Sequence, residues 1–390
     1  MVAGFSSAAF LASLNWATDE RLAHPWFLWL LPLGGLGIGL VYHHHGKGTE
    51  GGNNLVLEQI HEPTDWLPRR MPFLVLAASV VTQLFGGSAG REGAAVQMAA
   101  GLTDTVSRTL RVRGLDRQMM LVTAVAGGFG SVFGVPLSGC VFALEVQTVG
   151  RMRYDAMVPA LTAALVGDRV VRALGIHHAP MPVIGPVDID PALLIKVAVA
   201  GVAFGLAGTA FTTATHLVER ALRAAVSWPP LRPVVGGFAV IGLTYLVGNR
   251  DYNGLSLPLI ESALTVGASV AVGAFALKLV FTAVTLGSGF KGGEVTPLLV
   301  IGATLGATLA GPLGVPGPLL AAVGLVAIFA GAANVPLAST IMAVELFGGD
   351  ALVLYAVGCI SAYLCSARGI YPSQRAGDGK APVAPTRTSP

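Results

Sequence analysis

Long stretches of this chain contain no Asp, Glu, Lys or Arg. The uncharged windows include 22–46, 71–90, 118–144, 197–218 and 295–344. A helix needs roughly 20 apolar residues to cross the hydrocarbon core of a bilayer. Several windows reach that length, and the last one is long enough for two crossings. The pattern therefore predicts an all-α polytopic membrane protein, whose first helix is expected within residues 1–18.

Glycine and proline interrupt nearly all of these apolar windows. Examples are Gly311-Pro312 and the segment 314–318, which contains two glycines and two prolines. Irregular backbone at membrane depth is tolerated only where protein covers it or where it lines a wet cavity. We therefore expect many helices, some of them tilted and some crossing only half of the bilayer.

The composition excludes two broad classes of protein. Of the 390 residues, 53% are apolar, 12% are charged and 51 are glycine. Soluble domains carry about 25% charged residues and about 7% glycine. An ordinary cytosolic enzyme does not have this composition, and a net charge of +3 is too small to indicate a nucleic-acid partner.

Basic residues suggest an orientation in the cell (inner) membrane. Four arginines lie between two apolar runs, at Arg108, Arg111, Arg113 and Arg117. Cytoplasmic loops carry an excess of Lys and Arg, so this loop is expected on the cytoplasmic side. Residues 373–390 combine basic residues with Pro, Ser and Gly, and we expect them to form a disordered cytoplasmic tail.

The chain repeats itself at an offset of 200 residues in three places. The matches pair Asn53, Leu55, Leu57 and Ile60 with Asn253, Leu255, Leu257 and Ile260; Gly87-Ser88 and Gly93 with Gly287-Ser288 and Gly293; and Pro136-Leu137 and Glu145 with Pro336-Leu337 and Glu345. Single matches in an apolar sequence are common, but three blocks in one register are not. They indicate two transmembrane repeats, 1–175 and 190–372.

Two halves with interrupted helices at corresponding places are typical of secondary transporters. In such folds the substrate lies near the midplane of the membrane, at the interface between the repeats. If each half crosses the membrane an odd number of times, the second repeat must be inverted relative to the first.

Three glycine-rich segments precede helix-compatible stretches, at 51–55, 86–93 and 287–297. Glycine allows close approach of the backbone, and the first turn of a helix leaves N–H groups unpaired. Several helix N-termini directed at one point form an anion site without a full positive charge. Glycines that serve only close helix packing are the alternative interpretation.

Glu92 lies inside the second of these segments, with apolar runs on both sides. An ionised side chain in the membrane interior costs roughly 2.5–3.5 kcal/mol, and such residues are functional candidates. When charged, a carboxylate at an anion site competes with the anion. When protonated, it leaves the site free for the anion. This would couple anion movement to proton movement, whereas a structural ion pair with Arg91 is the alternative.

At these positions the chain resembles a known family. Gly90-Arg91-Glu92-Gly93 is similar to the GREGP signature of CLC anion channels and transporters. The segment 293–297 resembles their GxFxP motif, and 52–56 stands in the place of GSGIP. The likeness covers about residues 25–375. It implies the CLC fold, with two inverted repeats of tilted and broken helices, and a homodimer in the lipid bilayer with one pathway per subunit.

The departures from the family pattern resemble its fluoride/proton antiporter branch. Asn53 replaces the serine of the first motif, Val295 replaces the phenylalanine of GxFxP, and Glu294 precedes it. The resemblance implies Glu92 as the gating and proton-transfer residue. It implies that the anion is bound by Gly52, Asn53, Gly293, Val295, Thr296 and Tyr371. No cofactor or metal ion is expected, because the three adjacent histidines at 43–45 would point in different directions on a helix.

The inner proton route is expected to differ from that of chloride/proton exchangers. Val146 occupies the place of their inner glutamate, and Glu294 is the natural substitute as a second proton-transfer group. When a fluoride ion passes, Glu294 is expected to be protonated or to move away. Glu145 and Glu345 are expected to have structural roles at helix ends.

The sequence thus predicts a secondary active transporter that exports fluoride in exchange for protons. A CLC-type chloride/proton exchanger or a passive anion channel is the alternative. A membrane-embedded enzyme is disfavoured, because the chain contains no HExxH or P-loop pattern.

Overall fold

The computed structural model describes residues 1–178, 180–367 and 369–375. These residues form sixteen α-helices and no β-strand. The first eight are α1 (Val2–Ala23), α2 (Leu31–His45), α3 (Asn53–His61), α4 (Met71–Leu84), α5 (Glu92–Thr109), α6 (Gly114–Phe133), α7 (Pro136–Glu145) and α8 (Met157–Ala173). The second eight are α9 (Pro191–Ala225), α10 (Arg232–Val247), α11 (Leu257–Leu264), α12 (Ala274–Gly287), α13 (Val295–Leu313), α14 (Gly317–Ala333), α15 (Pro336–Phe347) and α16 (Leu352–Cys365). Three short 3-10 helices cover Pro25–Leu30, Tyr154–Ala156 and Pro229–Leu231.

The helices differ widely in length, from the 8 residues of α11 to the 35 residues of α9. Four segments are long and apolar enough to cross a membrane by length and composition: Pro25–His45, Pro191–Ala225, Pro229–Val247 and Val295–Leu313. Helix α7 has 10 residues, so at about 1.5 Å per residue it covers only half of the hydrocarbon core. The expected first helix is α1, which extends to Ala23.

One of the expected breaks lies at a different place. Gly311 and Pro312 belong to the last turn of α13, where the proline is accommodated inside the helix. The helix ends at Gly314, which adopts φ +58° in the left-handed region that glycine tolerates. Gly317 and Pro318 then begin α14, in agreement with the preference of proline for first turns.

The two halves correspond helix by helix, but the register between them changes along the chain. Helices α7 and α15 begin at residues 136 and 336, at the offset of 200. In contrast, α5 and α13 begin at 92 and 295, so the offset there is 295 − 92 = 203. Helix α6 has 20 residues and α14 has 17. Because α14 is three residues shorter, the offset between the halves returns from 203 to 200 before α7 and α15 begin. Gly293 therefore corresponds to Gly90, not to Gly93 as the gapless match suggested.

Helices α7 and α15 join the halves through a reciprocal pair of carboxylates. Glu145, at the end of α7, accepts hydrogen bonds from the main-chain N–H groups of Leu337 (3.1 Å) and Ala338 (2.8 Å) in the first turn of α15. Glu345 of α15 accepts from Leu137 (2.9 Å) and Ser138 (2.7 Å) in the first turn of α7. Each carboxylate thus satisfies two unpaired donors at the N-terminus of the other helix.

The core lies along α13 and α14. Every residue of α14 from Leu319 to Ala333 is buried. A Cβ atom added to Gly302 or Gly306 of α13 would collide with the main chain of α14. These two glycines serve close helix packing, as small residues do in membrane proteins.

Residues 373–375 pack against the first half of the chain. The main-chain N–H of Ser373 donates to Asn54, and the Arg375 guanidinium lies 2.6 Å from Glu62. Residues 373–375 thus have partners in the first half of the chain, and the disordered tail over 373–390 stays a prediction. The remainder of that prediction, 376–390, lies outside the described residues.

Candidate anion site

Three helix N-termini converge where the two halves meet, and each follows a glycine-rich segment. Gly90 and Gly293 pair with each other through two main-chain hydrogen bonds of 2.7 Å. This pair places the first turn of α5 against the first turn of α13. Gly52, at φ +54°, directs α3 toward the same place. The structure thus brings the three glycine-rich segments together.

Gly293 faces the main-chain nitrogens at the start of α5. A Cβ atom added to Gly293 would lie 2.9–3.0 Å from the main-chain nitrogens of Arg91, Glu92 and Gly93. A Cβ atom on Gly93 would lie 2.8 Å from the side-chain amide nitrogen of Asn53. A side chain at Gly293 would push against main chain, whereas one at Gly93 would displace the Asn53 amide, so the two glycines maintain close approach around helix N-termini.

The carboxylate of Glu92 occupies the N-terminus of α13. Glu92 is fully buried, and its Oε2 atom accepts from the main-chain N–H of Thr296 (3.0 Å) and from the Thr296 hydroxyl (2.5 Å). Arg91 also contacts it, through its guanidinium at 3.4 Å and its main-chain N–H at 3.3 Å. The ion pair with Arg91 is thus present but long, and the shorter contacts come from Thr296. A carboxylate in such a place has the hydrogen bonds that a bound anion would have.

Asn53, Val295 and Tyr371 line a small cavity of about 20 Å³ next to Gly93, which we call the central cavity. A space of this size admits about one water-sized particle. The Oδ1 atom of Asn53 is buried and lacks a hydrogen-bond partner among the described residues. The rest of the lining is apolar and includes Val146.

Glu294 is the N-cap residue of α13 and is only partly buried. Its carboxyl group makes no hydrogen bond or ion pair within the described ranges, in contrast to the fourfold contacts of Glu92. Tyr371 lies within electrostatic range of both carboxyl groups. The two glutamates predicted from the sequence are therefore near one tyrosine, but only Glu92 is held in place.

A second, larger cavity of about 740 Å³ opens on the other side of Glu92. We call it the vestibule, and its walls include Arg91, Glu92, Thr296, His177, His178 and Glu261. Glu92 lines the vestibule, and the next residue, Gly93, lines the central cavity. The two cavities are therefore lined by consecutive residues at the start of α5.

Lys278 of α12 is a site-supporting residue that sequence reasoning missed. It is fully buried, and its ammonium donates to Ser88 (2.9 Å), Gly254 (2.8 Å) and Ser256 (2.8 Å). Ser88 belongs to the loop that leads into Glu92. The available signal was that Lys278 is the only charged residue between Glu261 and Lys291.

Further contacts fix the same loop. The main-chain N–H of Ser88 donates to Thr285 (3.1 Å), and its hydroxyl lies 2.9 Å from that of Thr282. Asn253 donates to the carbonyl oxygen of Gly86 (2.9 Å). Asn253 precedes α11 by a full turn, so it supports this loop and is not the structural counterpart of Asn53.

Comparisons with known proteins agree with this geometry. The sequence profile of the voltage gated chloride channel family matches residues 34–367. The chain belongs to this family, the CLC proteins. A chloride/fluoride channel protein of Pseudomonas syringae pv. tomato is 45% identical to this CLC protein over 387 residues, which cover 97% of this chain and 85% of the relative. The chloride channel ClcB of Escherichia coli O157:H7 is 27% identical over 348 residues, 83% of this chain and 80% of that protein.

Solved structures share the fold of this CLC protein. The crystal structure of a CLC-type fluoride/proton antiporter superposes with a TM-score of 0.92 at 31% identity, and covers 96% of this chain and 95% of that one. A slow cyanobacterial Cl⁻/H⁺ antiporter matches with a TM-score of 0.78 at 18% identity, over 94% and 92% of the two chains. The predicted all-α CLC fold with two inverted repeats is confirmed.

Proposed function

We propose that this protein exports fluoride in exchange for protons. The observation that carries the proposal is the place of the Glu92 carboxylate, which takes the Thr296 donors at the N-terminus of α13. A carboxylate and a fluoride ion compete for the same donors. When Glu92 binds a proton, its carboxyl group becomes neutral and no longer requires the Thr296 donors. The donors at the N-terminus of α13 are then free to bind the anion.

The central cavity suits a small, strongly hydrated ion. To replace the hydration of fluoride, the protein must offer hydrogen-bond donors, and donors to a charged group contribute about 1.5–3 kcal/mol each. The Asn53 amide carries two N–H groups, and the hydroxyl group of Tyr371 adds one. The cavity of about 20 Å³ admits about one water-sized ion at a time.

In this proposal, Glu294 is the second proton-transfer group. Val146 offers no titratable atom to the central cavity, so a proton that leaves Glu92 needs another acceptor. Glu294 and Tyr371 lie near each other at the N-terminal end of α13. When it is ionised, Glu294 repels fluoride, so it is protonated or turned away as the ion passes.

The proposal includes an orientation and an assembly. Helix α5 runs from Glu92 to the arginine-rich loop at 108–117, which the positive-inside tendency assigns to the cytoplasm. The vestibule then faces outward and the central cavity lies toward the cytoplasm of a cell with this protein in its inner membrane. By analogy with the family, two subunits associate as a homodimer, with one pathway in each.

Chloride/proton exchange is the second candidate function, because the matching family profile and ClcB are named for chloride. Asn53 and the small central cavity favour fluoride instead.

The discriminating experiment measures fluoride and chloride flux in proteoliposomes loaded with a pH-sensitive dye. We expect fluoride movement in one direction to drive protons in the other, with chloride far less effective. Chloride transported as fast as fluoride would refute the fluoride assignment, and fluoride flux without proton movement would refute the exchange.

A further inference from the structure

A third cavity lies beside the C-terminal end of α1, away from the anion site. We call it the basic cavity, and its volume is about 940 Å³. Its wall is formed by the end of α1, the segment 249–259 that leads into α11, and residues 269–272 before α12. Ligand sites in proteins commonly measure about 300–1,000 Å³, so this space is large enough for an organic ligand.

Arg21 of α1 is a partly buried wall residue of this cavity. Its guanidinium packs against Gly254, where an added Cβ atom would lie 2.8 Å from Nη2. The Nε atom is buried without a hydrogen-bond partner, and the side chain makes no ion pair within the described ranges. The neighbouring Glu20 pairs with His24 at 3.3 Å instead. Because the donors of a guanidinium form a planar fork that matches the oxygen atoms of a phosphate group, Arg21 is suited to bind such a group.

Positive charge exceeds negative charge around the basic cavity. Arg250 belongs to the wall, donates to the carbonyl oxygen of Pro25 (2.7 Å) and lies within electrostatic range of Arg21. Lys278 lies behind the wall, where its ammonium donates to the carbonyl oxygen of Gly254 (2.8 Å) and also acts on Arg21. Asp251 is the single carboxylate among the described wall residues. Three cations against one carboxylate make the cavity attractive to an anion.

The rest of the wall and its surroundings indicate what kind of anion fits. Apolar side chains form much of the wall, and two of them are largely exposed, Leu22 at 64% and Val272 at 72%. Trp26 and Trp29, which follow closely after the wall residue Pro25, are each 56% exposed. Tryptophan is enriched at the interface between membrane and water, at the level of the lipid head groups. A cationic wall next to apolar surface at this level is complementary to an anionic lipid rather than to a free inorganic ion.

We propose that the basic cavity binds the phosphate group of an anionic phospholipid. Arg21 donates to the phosphate oxygens from its unpaired N–H groups, and Arg250 supplies a second positive charge. The exposed Leu22 and Val272 contact the beginning of the acyl chains. This is a binding site separate from the transport pathway, because Glu92, Asn53 and Tyr371 line other cavities.

The experiment measures lipid binding to the full-length protein in detergent by native mass spectrometry. The probes are dioctanoyl phosphatidylglycerol, which is anionic, and dioctanoyl phosphatidylcholine, which has the same chains and no net charge. We expect wild type to bind the anionic lipid more tightly. Arg21→Gln should weaken that binding about tenfold or more, because hydrogen bonds between charged groups are the stronger kind. Arg250→Gln should weaken it about fivefold, the usual effect of one arginine near a lipid surface.

The matched control is Arg220→Gln, because Arg220 lies on the exposed surface of α9 and contacts only a carbonyl oxygen of its own helix. This variant should bind phosphatidylglycerol as wild type does. Thermal unfolding verifies that each variant is folded. If Arg21→Gln is unfolded, Arg21→Lys, which keeps the charge without the planar fork, and Arg250→Gln decide the question, and both should bind the anionic lipid less tightly than wild type.

Three results would overturn the proposal. The first is equal affinity of wild type for the two lipids. The second is wild-type affinity for phosphatidylglycerol in the folded variants of both Arg21 and Arg250. The third is displacement of phosphatidylglycerol by inorganic phosphate at similar concentrations, because the cavity would then be a site for the free ion and not for a lipid.

Discussion

At the scale of single residues, the environment decides the chemistry of three similar glutamates. Glu92 is completely buried and accepts from Thr296, Glu145 accepts from two main-chain N–H groups, and Glu294 has no hydrogen-bond partner in the described part of the chain. A carboxylate that caps a helix in a fixed geometry is structural, whereas one that takes donors an anion could use can be displaced. The sequence identified all three as unusual, because each lies next to an apolar run.

Replacement of the proposed gate should separate anion movement from proton movement. Glu92→Gln keeps the shape of the side chain but cannot bind or release a proton. We expect proton flux driven by a fluoride gradient to fall to the level of protein-free liposomes. A dye inside the liposomes measures it, and proton flux equal to that of wild type would remove Glu92 from the mechanism.

Asn53 should set the preference for fluoride. Asn53→Ser removes one of two N–H donors, and a hydrogen bond to a charged group contributes about 1.5–3 kcal/mol, so we expect fluoride over chloride selectivity to fall about tenfold or more. The ratio of the two fluxes in proteoliposomes measures the effect. Asn54→Ser is the control, because Asn54 accepts from Ser373 and does not line the central cavity. An unchanged ratio in Asn53→Ser would exclude this residue as the selectivity determinant.

At the scale of helices, the short elements have their ends satisfied by the opposite half. Helix α7 is only 10 residues long and cannot cross the bilayer alone, so unpaired donors at its N-terminus lie inside the protein. Glu345 satisfies two of them, and Glu145 does the same for α15. This exchange explains a glutamate at each matching place of an apolar sequence.

Loss of either carboxylate cap should lower stability by a similar amount, because the two interactions are equivalent. We expect Glu145→Ala and Glu345→Ala each to reduce the free energy of unfolding by about 1–2 kcal/mol, the usual range for a lost N-terminal cap. Thermal unfolding in detergent provides the measurement. Glu219→Ala, on the surface of α9, is the control and should change stability by less than about 0.5 kcal/mol. No loss of stability in either cap variant would contradict the structural role.

At the scale of the whole molecule, the site exists only where the two halves meet. Gly90 pairs with Gly293, Glu92 binds Thr296, and Lys278 of the second half holds the loop of Ser88 in the first. Each half supplies helix N-termini whose hydrogen-bonding partners come from the other half. The functional unit is therefore the pair of repeats and not either one.

Lys278 should be important for the stability of this interface. Lys278→Met leaves several buried oxygen acceptors unsatisfied, at about 1–3 kcal/mol each, so we expect a loss of about 3 kcal/mol or more in the free energy of unfolding. Chemical denaturation in detergent measures it. Lys196→Met is the control, because the Lys196 ammonium makes a single 3.4 Å contact at the surface. A Lys278→Met protein as stable as wild type would show that the ammonium does not hold the halves together.

The sequence by itself determined the membrane location, the two halves and the chemically unusual residues. It could do so because an uncharged window of about 20 residues has few other uses and because a carboxyl group in such a window is costly. It also predicted the structural role of Glu145 and Glu345, and it placed Glu92, Asn53 and Thr296 at helix starts.

Only the tertiary structure decided which of these residues meet. The gapless repeat paired Gly93 with Gly293 and Asn53 with Asn253, whereas the fold pairs Gly90 with Gly293 and uses Asn253 to support a loop. The partners of Lys278 come from segments distant in sequence, and they are main-chain and hydroxyl groups that carry no sequence signal. The local sequence pattern indicates which residues are energetically costly to place in the membrane, whereas the packing of the helices decides which groups those residues contact.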